Sequence, residues 1–350
     1  MTSNESPYLE VKDLTVRFRT EDGTVQAVNG VSFAVERGQT LGIVGESGSG
    51  KSVTSMAVMG LHDPKHTTMK GSIKVGGKEL IGLGEEGLRR LRGRDISMIF
   101  QDPLTALHPF YTIGRQIVEA YRIHNDVSKA VAKKRAIEML DRVGIPQPDK
   151  RFKQYPHEFS GGMRQRAMIA MSLVNDPNLL IADEPTTALD VTVQAQILDL
   201  LDDLQREFNS AVILITHDLG VVSQVADDVL VMYGGRVAEY GTVEHIMRSA
   251  QHPYTWGLLA SMPSLHGDPD ADLLPIKGNP PSLLNIPSGC VFHPRCAYAM
   301  LKGGPCDVEV PALLPLRLAD EPGHTVACHL PEQERNRTYQ EEIASVGVAL

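Results

Sequence analysis

Long apolar segments are absent from this sequence of 350 residues. No stretch approaches the roughly 20 uninterrupted apolar residues of a membrane-spanning helix. A secretory signal is not expected either, because the polar and acidic start, MTSNESPYLEVKD, has no basic region leading into an apolar run. The formal net charge is -9, whereas general nucleic-acid binding needs Lys and Arg concentrated on one face. These absences predict a soluble cytoplasmic protein that does not bind nucleic acid.

Cysteine is also scarce, and its distribution is uneven. The chain has four cysteines, Cys290, Cys296, Cys306 and Cys328, which all lie toward its C-terminal end. Even scatter would have spread them along the chain. The remaining composition, with 42% hydrophobic and 22% charged residues, is typical of globular proteins, and the length favours one main domain with a substantial appendage. We therefore expect the thiols to have a specific role in the C-terminal segment.

The pattern of apolar residues predicts an α/β fold. Alternating apolar runs over residues 8–33 indicate antiparallel strands, and TLGIVG followed by SVTSMAVMGL has the strand, loop, helix order of a phosphate-binding unit. Residues 128–175 are helical in pattern, with AVAKKRAIEMLDRVGI as an amphipathic segment. Strand-like LLIAD and AVILITHD, separated by the helical VQAQILDLLDDLQREF, then restore the alternation of a doubly wound parallel sheet.

The domain organisation follows from these elements. We expect a nucleotide-binding domain over residues 1–241, made of a parallel-sheet core, an antiparallel β subdomain and a helical subdomain at about 102–175. Residues 242–350 form an extension with a helical stretch near HPYTWGLLASM, a polar segment from His266 to Asp272, and an irregular tail rich in Pro, Gly and Cys. No internal repeat or second glycine-rich phosphate loop is present, so we expect one nucleotide-binding domain.

A phosphate-binding loop follows the strand TLGIV. The pattern G-x-x-x-x-G-K-[ST] is complete in Gly45, Glu46, Ser47, Gly48, Ser49, Gly50, Lys51 and Ser52, and it lies between a predicted strand and a predicted helix. Glycines let successive N–H groups turn toward phosphates, and the helix N-terminus adds partial positive charge. Lys51 would reach the β and γ phosphates, and Ser52 would supply an oxygen to Mg²⁺. A glycine turn without a ligand is disfavoured, because every motif position agrees with the flanking elements.

Polar side chains also follow other predicted strands. Asp183 ends the run LLIAD and precedes Glu184; a carboxylate at a strand tip can hold hydrated Mg²⁺, and the next one can polarise an attacking water. His217 follows AVILIT, and Gln101 follows SMIF. Taken singly, each has an ordinary alternative, since strands often end in acidic residues, a strand-end histidine is more often structural, and a glutamine is usually on the surface. Their combination with the phosphate loop favours one catalytic site.

These motifs together resemble the ATP-binding cassette (ABC) family. Ser160-Gly161-Gly162-Met163-Arg164-Gln165 looks like the signature motif of that family. The order phosphate loop, Gln101, signature, Asp183-Glu184, Asp190 in TALD, and His217 matches the family's order of motifs and covers about Leu9 to Gly241. The resemblance implies an ATPase with the P-loop ABC nucleotide-binding fold.

The same resemblance implies a shared site. In the ABC family two nucleotide-binding domains face each other head to tail, and each ATP lies between one phosphate loop and the other domain's signature. Ser160, Gly161, Gly162 and Gln165 would then act on ATP held by the partner domain, and Asp190 would belong to the D-loop. A serine followed by glycines at a helix start suits this role, because its N–H groups and hydroxyl form an anion cradle.

The resemblance further implies roles within the chain. Glu184, His217 and Gln101 would be catalytic, with Glu184 activating water. Mg²⁺ would be held by Ser52, Gln101 and Asp183. The implied ATP-binding residues are Phe18, Gly45, Glu46, Ser47, Gly48, Ser49, Gly50, Lys51, Ser52, Gln101, Asp183 and His217. Phe18 is the candidate for stacking on adenine, although an aromatic residue in a strand is as often part of the core.

Two further stretches resemble the ATP-binding subunits of bacterial dipeptide and oligopeptide importers. They are HPYT with GLLASMP, and GNPPSLLNIPSGCVFHPRCAYA. The segment QDPLTALHPFYTIGRQI is also similar, with His108 where Asn is expected. The resemblance implies coupling of ATP hydrolysis to peptide uptake at the cytoplasmic face of the membrane. Its implied partners are two membrane permease subunits, a second ABC ATPase subunit, favoured to be a paralogue, and an extracytoplasmic peptide-binding protein.

Other functions stay open at this point. Nickel and glutathione importers share parts of the pattern, so that the solute is not determined. A soluble ABC ATPase that acts on DNA or ribosomes is the rival class, but it typically has tandem cassettes or a long coiled-coil insertion, and this chain has neither.

The four cysteines resemble the set that binds a [4Fe–4S] cluster in some peptide-importer ATPases. Four thiolates suit such a cluster or a tetrahedral zinc ion. Zinc sites usually contain closely paired C-x-x-C motifs, which are missing among Cys290, Cys296, Cys306 and Cys328. We therefore favour iron and sulfur, with zinc as the alternative, and a role that is either structural or redox.

Overall fold

Two β-sheets and a layer of helices make up the computed structural model, which describes residues 6–187, 189–262, 276–300, 304–317 and 323–343. The predicted polar segment from His266 to Asp272 lies outside the described residues. The strands are β1 (Leu9–Thr20), β2 (Gly23–Val35), β3 (Thr40–Val44), β4 (Thr67–Val75), β5 (Lys78–Glu79), β6 (Ile96–Ile99), β7 (Leu179–Asp183), β8 (Ala211–Thr216), β9 (Asp228–Tyr233), β10 (Arg236–Thr242), β11 (Leu314–Pro315) and β12 (Thr325–Val326).

In sequence, the helices lie mainly between the strands of the parallel sheet and after the last of them. They are α1 (Lys51–Met59), α2 (Glu85–Leu91), α3 (Pro103–Ala106), α4 (Ile113–Arg122), α5 (Lys129–Arg142), α6 (Pro148–Arg151), α7 (Gly161–Leu173), α8 (Val191–Phe208), α9 (Leu219–Val225), α10 (Val243–Arg248), α11 (Pro253–Ala260) and α12 (Glu332–Thr338). Short 3-10 turns occupy Pro156–Glu158 and His293–Arg295, and a π-helical turn spans Tyr339–Ile343.

The larger sheet has the strand order β11-β12-β10-β9-β3-β8-β7-β6. Its strands from β9 to β6 are parallel, and β10 is antiparallel to β9. Every residue of β3, β7 and β8 is buried, which explains their continuous apolar sequences, since helices or sheets cover both faces of a parallel sheet. The predicted α/β core is confirmed.

A smaller antiparallel sheet, in the order β2-β1-β4-β5, packs beside this core. It contains the strands predicted over residues 8–33. The helices α3 to α7 lie between β6 and β7 in sequence and share a second apolar cluster that includes Ile117, Leu140 and Ile169. The predicted helical subdomain therefore exists, and it is inserted between two neighbouring parallel strands.

The C-terminal extension continues the larger sheet. Strand β12 pairs with β10, where Val326 faces Glu239 and Thr325 faces Tyr240. Helix α11 packs Trp256, which is 1% exposed, into the same apolar cluster as β9. The predicted boundary near residue 241 falls inside β10, so that the extension shares a hydrophobic core with the nucleotide-binding domain. A two-residue strand has too short a pattern to be seen in sequence.

Glu239 fixes the extension to the sheet from inside. Its side chain is fully buried. The carboxylate accepts hydrogen bonds from the backbone N–H groups of Gln251 at 2.6 Å and His252 at 3.0 Å, and Nε2 of His324 lies 2.7 Å away. Three segments of the extension and core therefore meet at one buried acidic side chain, whose polar atoms have partners as burial requires.

We predict that Glu239→Ala lowers the free energy of unfolding by about 3 kcal/mol or more, because buried donors that lose their acceptor each cost roughly 1–3 kcal/mol. Urea unfolding followed by circular dichroism measures this loss. Glu244→Ala is the matched control, since its side chain is 71% exposed, and we expect a change within about 0.5 kcal/mol. Equal stability of the two variants would contradict the structural role of Glu239.

Acid should also destabilise the contact between the extension and the larger sheet. Burial lowers the pKa of His252 to about 4, so that the folded chain keeps this ring neutral while the unfolded chain protonates it below about pH 6.5. Since the unfolded state then binds more protons, stability falls as the pH decreases from 6.5 toward 4, by up to about 3 kcal/mol. Urea unfolding at several pH values tests this, and His252→Asn should show a flatter pH dependence. An unchanged slope in that variant would contradict the assignment.

Candidate functional site

Four neighbouring strands bring the predicted site residues to one edge of the sheet. The phosphate loop follows β3, His217 follows β8, Asp183 ends β7, and Gln101 follows β6. These strands are adjacent and parallel in the order β3-β8-β7-β6. Their carboxyl ends therefore lie side by side, which is where open α/β sheets bind ligands.

The loop between β3 and α1 has the form of an anion cradle. Gly50 has a φ of 102°, and a Cβ atom there would lie 2.5 Å from the carbonyl oxygen of Ala27, so only glycine fits. No side chain caps the start of α1, which leaves its first N–H groups directed at the loop. Lys51 is buried and donates to the carbonyl oxygens of Gly45 at 2.6 Å and Glu46 at 3.0 Å.

Electrostatics favour a polyanion together with a cation here. Burial lowers the pKa of Lys51, while Glu184, Asp183 and Glu46 act in the opposite direction. Asp183 is 6% exposed, and burial raises its pKa. Ser52 donates through Oγ to Oδ1 of Asp183 at 3.2 Å. A hydroxyl and a desolvated carboxylate in contact are suitable oxygen ligands for Mg²⁺, so Ser52 and Asp183 fit the predicted metal role.

Glu184 lies at the centre of a second cluster. Its carboxylate accepts from Nε2 of Gln101 at 2.8 Å and from Oγ1 of Thr187 at 2.9 Å, and Nδ1 of His217 lies 3.4 Å away. Its φ is 46°, a left-handed conformation that is strained for a non-glycine residue. The three predicted catalytic residues therefore meet, with Gln101 contacting the carboxylate of Glu184.

The predicted signature residues lie at the start of a helix. Ser160 is exposed and caps α7, since its Oγ accepts from the backbone N–H of Met163 at 3.4 Å. Gly161 and Gly162 form the first turn of α7. Gln165 differs, because it is 2% exposed and donates to the carbonyl oxygen of Pro185 at 2.5 Å. Its amide joins the signature helix to the residue that follows Glu184 in the same chain.

Two other predicted residues have structural contacts. Asp190 is exposed and caps α8 by accepting from the backbone N–H of Val193 at 2.9 Å. Phe18 is half-buried against the core, and its ring packs edge-on against His62 with 5.2 Å between centroids. The adenine-stacking role of Phe18 and the D-loop role of Asp190 stay predictions.

The four cysteines occupy one region of the extension. The backbone N–H of Cys290 donates to the carbonyl oxygen of Cys306 at 2.9 Å. Burial raises the pKa of Cys296 to about 12, and the charges of Cys328, Cys290 and Cys306 add to this. In the described ranges, however, no three His, Cys, Asp or Glu side chains are arranged so that they could hold a metal ion.

The segment after Gln101 presents apolar side chains to solvent. Phe110 is 80% exposed and Leu104 is 59% exposed. His108, where Asn is expected, accepts from the backbone N–H of Phe110 at 3.3 Å through Nδ1, as an Asn side chain does in an Asx turn. The replacement therefore keeps the local turn. No helix among the described residues has the length and apolar character to cross a membrane.

Three residues at the site were not predicted. Thr187 contacts Glu184, and Tyr254 and Arg295 contact Glu46 of the phosphate loop. Tyr254 and Arg295 belong to the stretches HPYT and HPRC, whose sequence resemblance concerns the extension and not the ATP site. Nothing in their local pattern indicates a contact with residues 208 and 249 positions away in sequence.

Comparison with known families identifies two regions. Residues 28–187 match the family model described as ABC transporter, and residues 238–302 match the one described as oligopeptide/dipeptide transporter, C-terminal region. An oligopeptide transport ATP-binding protein OppD of Salmonella typhimurium is 52% identical over 326 residues, which cover 93% of this chain and 94% of the relative. A dipeptide transport ATP-binding protein DppD of Bacillus subtilis is 53% identical over 326 residues, with 93% and 95% coverage.

Solved structures share the fold. A dimeric bacterial ABC transporter cassette aligns with a TM-score of 0.61 and 26% identity, over 67% of this chain and 98% of the other. The cbiO1 protein of Clostridium perfringens, described as part of the cbiONQ ABC transporter complex, aligns with a TM-score of 0.60 and 29% identity, over 70% and 92% of the two chains. Both therefore resemble this chain over about two thirds of its length.

Proposed function

Since this chain belongs to the family of ATP-binding subunits of oligopeptide and dipeptide ABC transporters, we propose that its motifs form two half-sites that work only when two cassettes close on each other. The chain is the ATP-hydrolysing subunit of a peptide importer, as the sequence motifs predicted. The observation that carries the proposal is the meeting of Gln101, Glu184 and His217 beside the phosphate loop.

The phosphate loop binds the nucleotide. Backbone N–H groups that follow Glu46 in the loop, the N-terminus of α1 and Lys51 face the β and γ phosphates, and Phe18 stacks on adenine. Ser52, Asp183 and Gln101 would hold Mg²⁺, which supplies positive charge to the β and γ phosphate oxygens when bound. The contact of Ser52 with Asp183 supports this, because it places two oxygen ligands together at the loop.

Glu184 activates the attacking water. Its carboxylate accepts the proton as the water oxygen bonds to the γ phosphorus, and the bond between that phosphorus and the β–γ bridging oxygen breaks to leave ADP. Gln101 and Thr187 hold the carboxylate in place, and His217 lies beside it to contact the γ phosphate. The strained backbone of Glu184 supports a functional constraint at this position.

A second cassette completes the site. Ser160, Gly161 and Gly162 open a 13-residue helix with an exposed N-terminus, and such a terminus binds phosphate oxygens. In the proposed arrangement they contact ATP that is held by the partner cassette. Gln165 supports this role indirectly, because its bond to Pro185 couples the signature helix to the residue that follows Glu184. The partner is proposed to be a paralogue of this chain.

The remaining partners follow from the importer function. We place the chain at the cytoplasmic face of the membrane, bound to two permease subunits, with peptides delivered by an extracytoplasmic binding protein. The exposed Leu104 and Phe110 after Gln101 support a permease contact, because exposed apolar patches commonly mark protein interfaces. A peptide solute is favoured over nickel or glutathione, since the relatives above are oligopeptide and dipeptide transport proteins.

The cysteine region is proposed to bind a [4Fe–4S] cluster, with zinc as the alternative. The environment of the cysteine thiols supports this proposal. Burial raises the pKa of Cys290, Cys296 and Cys328, so these thiols become thiolates readily only beside a cation. Backbone groups at Phe292, Tyr298 and Leu330 lower the same pKa values through hydrogen bonds to the sulfur atoms, and such bonds are common around bound clusters.

We predict that the chain purified without oxygen contains about four iron and four sulfide per protomer. Metal and acid-labile sulfide analysis measures this. Cys306→Ser should lose most of the iron, whereas Val308→Ser, at a position that is 69% exposed, should keep it. Stoichiometric zinc without iron would replace the cluster by the alternative metal, and the absence of both would reject a metal site.

We predict that Glu184→Gln lowers ATP turnover by the assembled transporter by about 100-fold or more while MgATP binding persists, because it removes the base and keeps the shape of the side chain. Phosphate release and nucleotide binding are measured on the same preparation, and the ATP-bound variant should accumulate as closed cassette dimers. Glu244→Gln is the matched control and should keep parental turnover. Near-parental turnover in Glu184→Gln would reject the assigned base.

A further inference from the structure

Two side chains of the C-terminal extension reach the phosphate loop at a single residue. Tyr254 from α11 and Arg295 from the turn His293–Arg295 both contact Glu46. Glu46 is the first variable position of the loop, and its carboxylate is bound by Arg295 of the extension. The extension therefore touches the ATP site without taking a ligand position.

The contact of Arg295 is geometrically specific. Its guanidinium binds the carboxylate of Glu46 through two nitrogens, with Nη1 at 2.5 Å from Oε2 and Nη2 at 3.1 Å from Oε1. Nε donates to the carbonyl oxygen of Lys277 at 2.9 Å, and Nη2 also donates to that of Ile276 at 3.2 Å. The side chain is 5% exposed. Such a two-point ion pair with a buried guanidinium fixes both distance and orientation.

All polar groups of Glu46 are consequently engaged. Its backbone N–H donates to the hydroxyl of Tyr254 at 2.8 Å, its carbonyl oxygen accepts from Lys51 at 3.0 Å, and its carboxylate binds Arg295. The carbonyl oxygen also accepts from the backbone N–H of Ser49 at 3.2 Å, and two of these four partners come from the extension. Tyr254 is itself fully buried and packs its ring on Tyr233, with 4.6 Å between centroids. The residue that supports the loop from the extension is therefore part of the buried core.

The contacts that hold Glu46 in place have a consequence for ATP binding. A glycine-rich loop must give up conformational freedom when its N–H groups converge on phosphates, and a loop that is already held in shape loses less. The ion pair should act on the ground state and the transition state alike, because the hydrogen-bond partners of Arg295 in the described part of the chain are Glu46, Tyr233 and backbone oxygens of the extension, and none of them is a catalytic residue. Its effect should thus fall on affinity more than on the chemical step.

We propose that Arg295 and Tyr254 are positioning residues of the ATP site, which act through Glu46 to preset the phosphate loop for the β and γ phosphates. The inference rests on the proposed ATPase function and assigns part of it to the extension. In this chain the extension is a structural component of nucleotide binding. Arg295 also lies between Cys290 and Cys296 in sequence. The segment that carries these two cysteines therefore also contacts the phosphate loop.

The test compares variants of the assembled transporter. Arg295→Gln should raise the ATP dissociation constant and KM about tenfold while kcat changes less than about threefold. Arg295→Lys should recover part of the affinity, because lysine restores the charge without the two-point geometry. Glu46→Gln combined with Arg295→Gln should cost no more than the worse single variant, since both remove the same interaction.

A conservative variant and a matched control keep the test decisive. Tyr254→Phe retains the buried ring and loses one hydrogen bond, so we expect a threefold to fivefold loss of ATP affinity with normal thermal stability. Arg248→Gln removes an exposed arginine, 61% accessible, that pairs only with Glu244 among the described residues, and it should match the parent.

The possible failures can be told apart. Parental affinity and KM in both Arg295→Gln and Tyr254→Phe would overturn the positioning role, as would a loss confined to kcat. If Arg295→Gln fails to fold, Tyr254→Phe alone decides the matter. Absence of ATP binding by the parent transporter would instead reject the proposed function, which the positioning variants do not test.

Discussion

Parallel pairing of β3, β8, β7 and β6 is the constraint on which the site depends. Because all four strands run in one direction, the residues that follow them emerge at the same edge of the sheet. Ser52 can then contact Asp183 across 131 positions of sequence, and Gln101 can contact Glu184 across 83. No local interaction could maintain these distances, whereas a fully buried parallel sheet does so through its backbone hydrogen bonds.

Buried charge joins the two parts of the chain at separate points. Glu239 binds backbone groups at the start of α11 together with His324, and Glu46 binds Arg295 beside the phosphate loop. Each is a carboxylate in the nucleotide-binding domain that is satisfied by donors from the extension. Charges that are removed from water are tolerated only with good partners, so these pairs define the position of the extension and hold it against the ATP-binding edge.

The sequence was informative wherever function demands a contiguous pattern. The phosphate loop, the signature and the strand-end residues Asp183, Glu184 and His217 could be predicted because each motif requires certain residue types at short spacing. Long periodic segments such as α5 and α8 were predictable for the same reason. The cysteines were recognisable as a set, but their arrangement in space was not, because their spacing is wide and their segment lacks regular structure.

Family and fold class were thus determined by the sequence alone, which also predicted the ATP-site motifs. The tertiary structure decided what those residues contact: it joined Gln101 to Glu184, turned Gln165 inward to Pro185, and placed Tyr254 and Arg295 against Glu46. The physical reason is the sequence separation of the contacting residues. A motif consists of residues that are close in sequence, whereas a hydrogen bond between residues 208 or 249 positions apart depends on the packing of the whole chain.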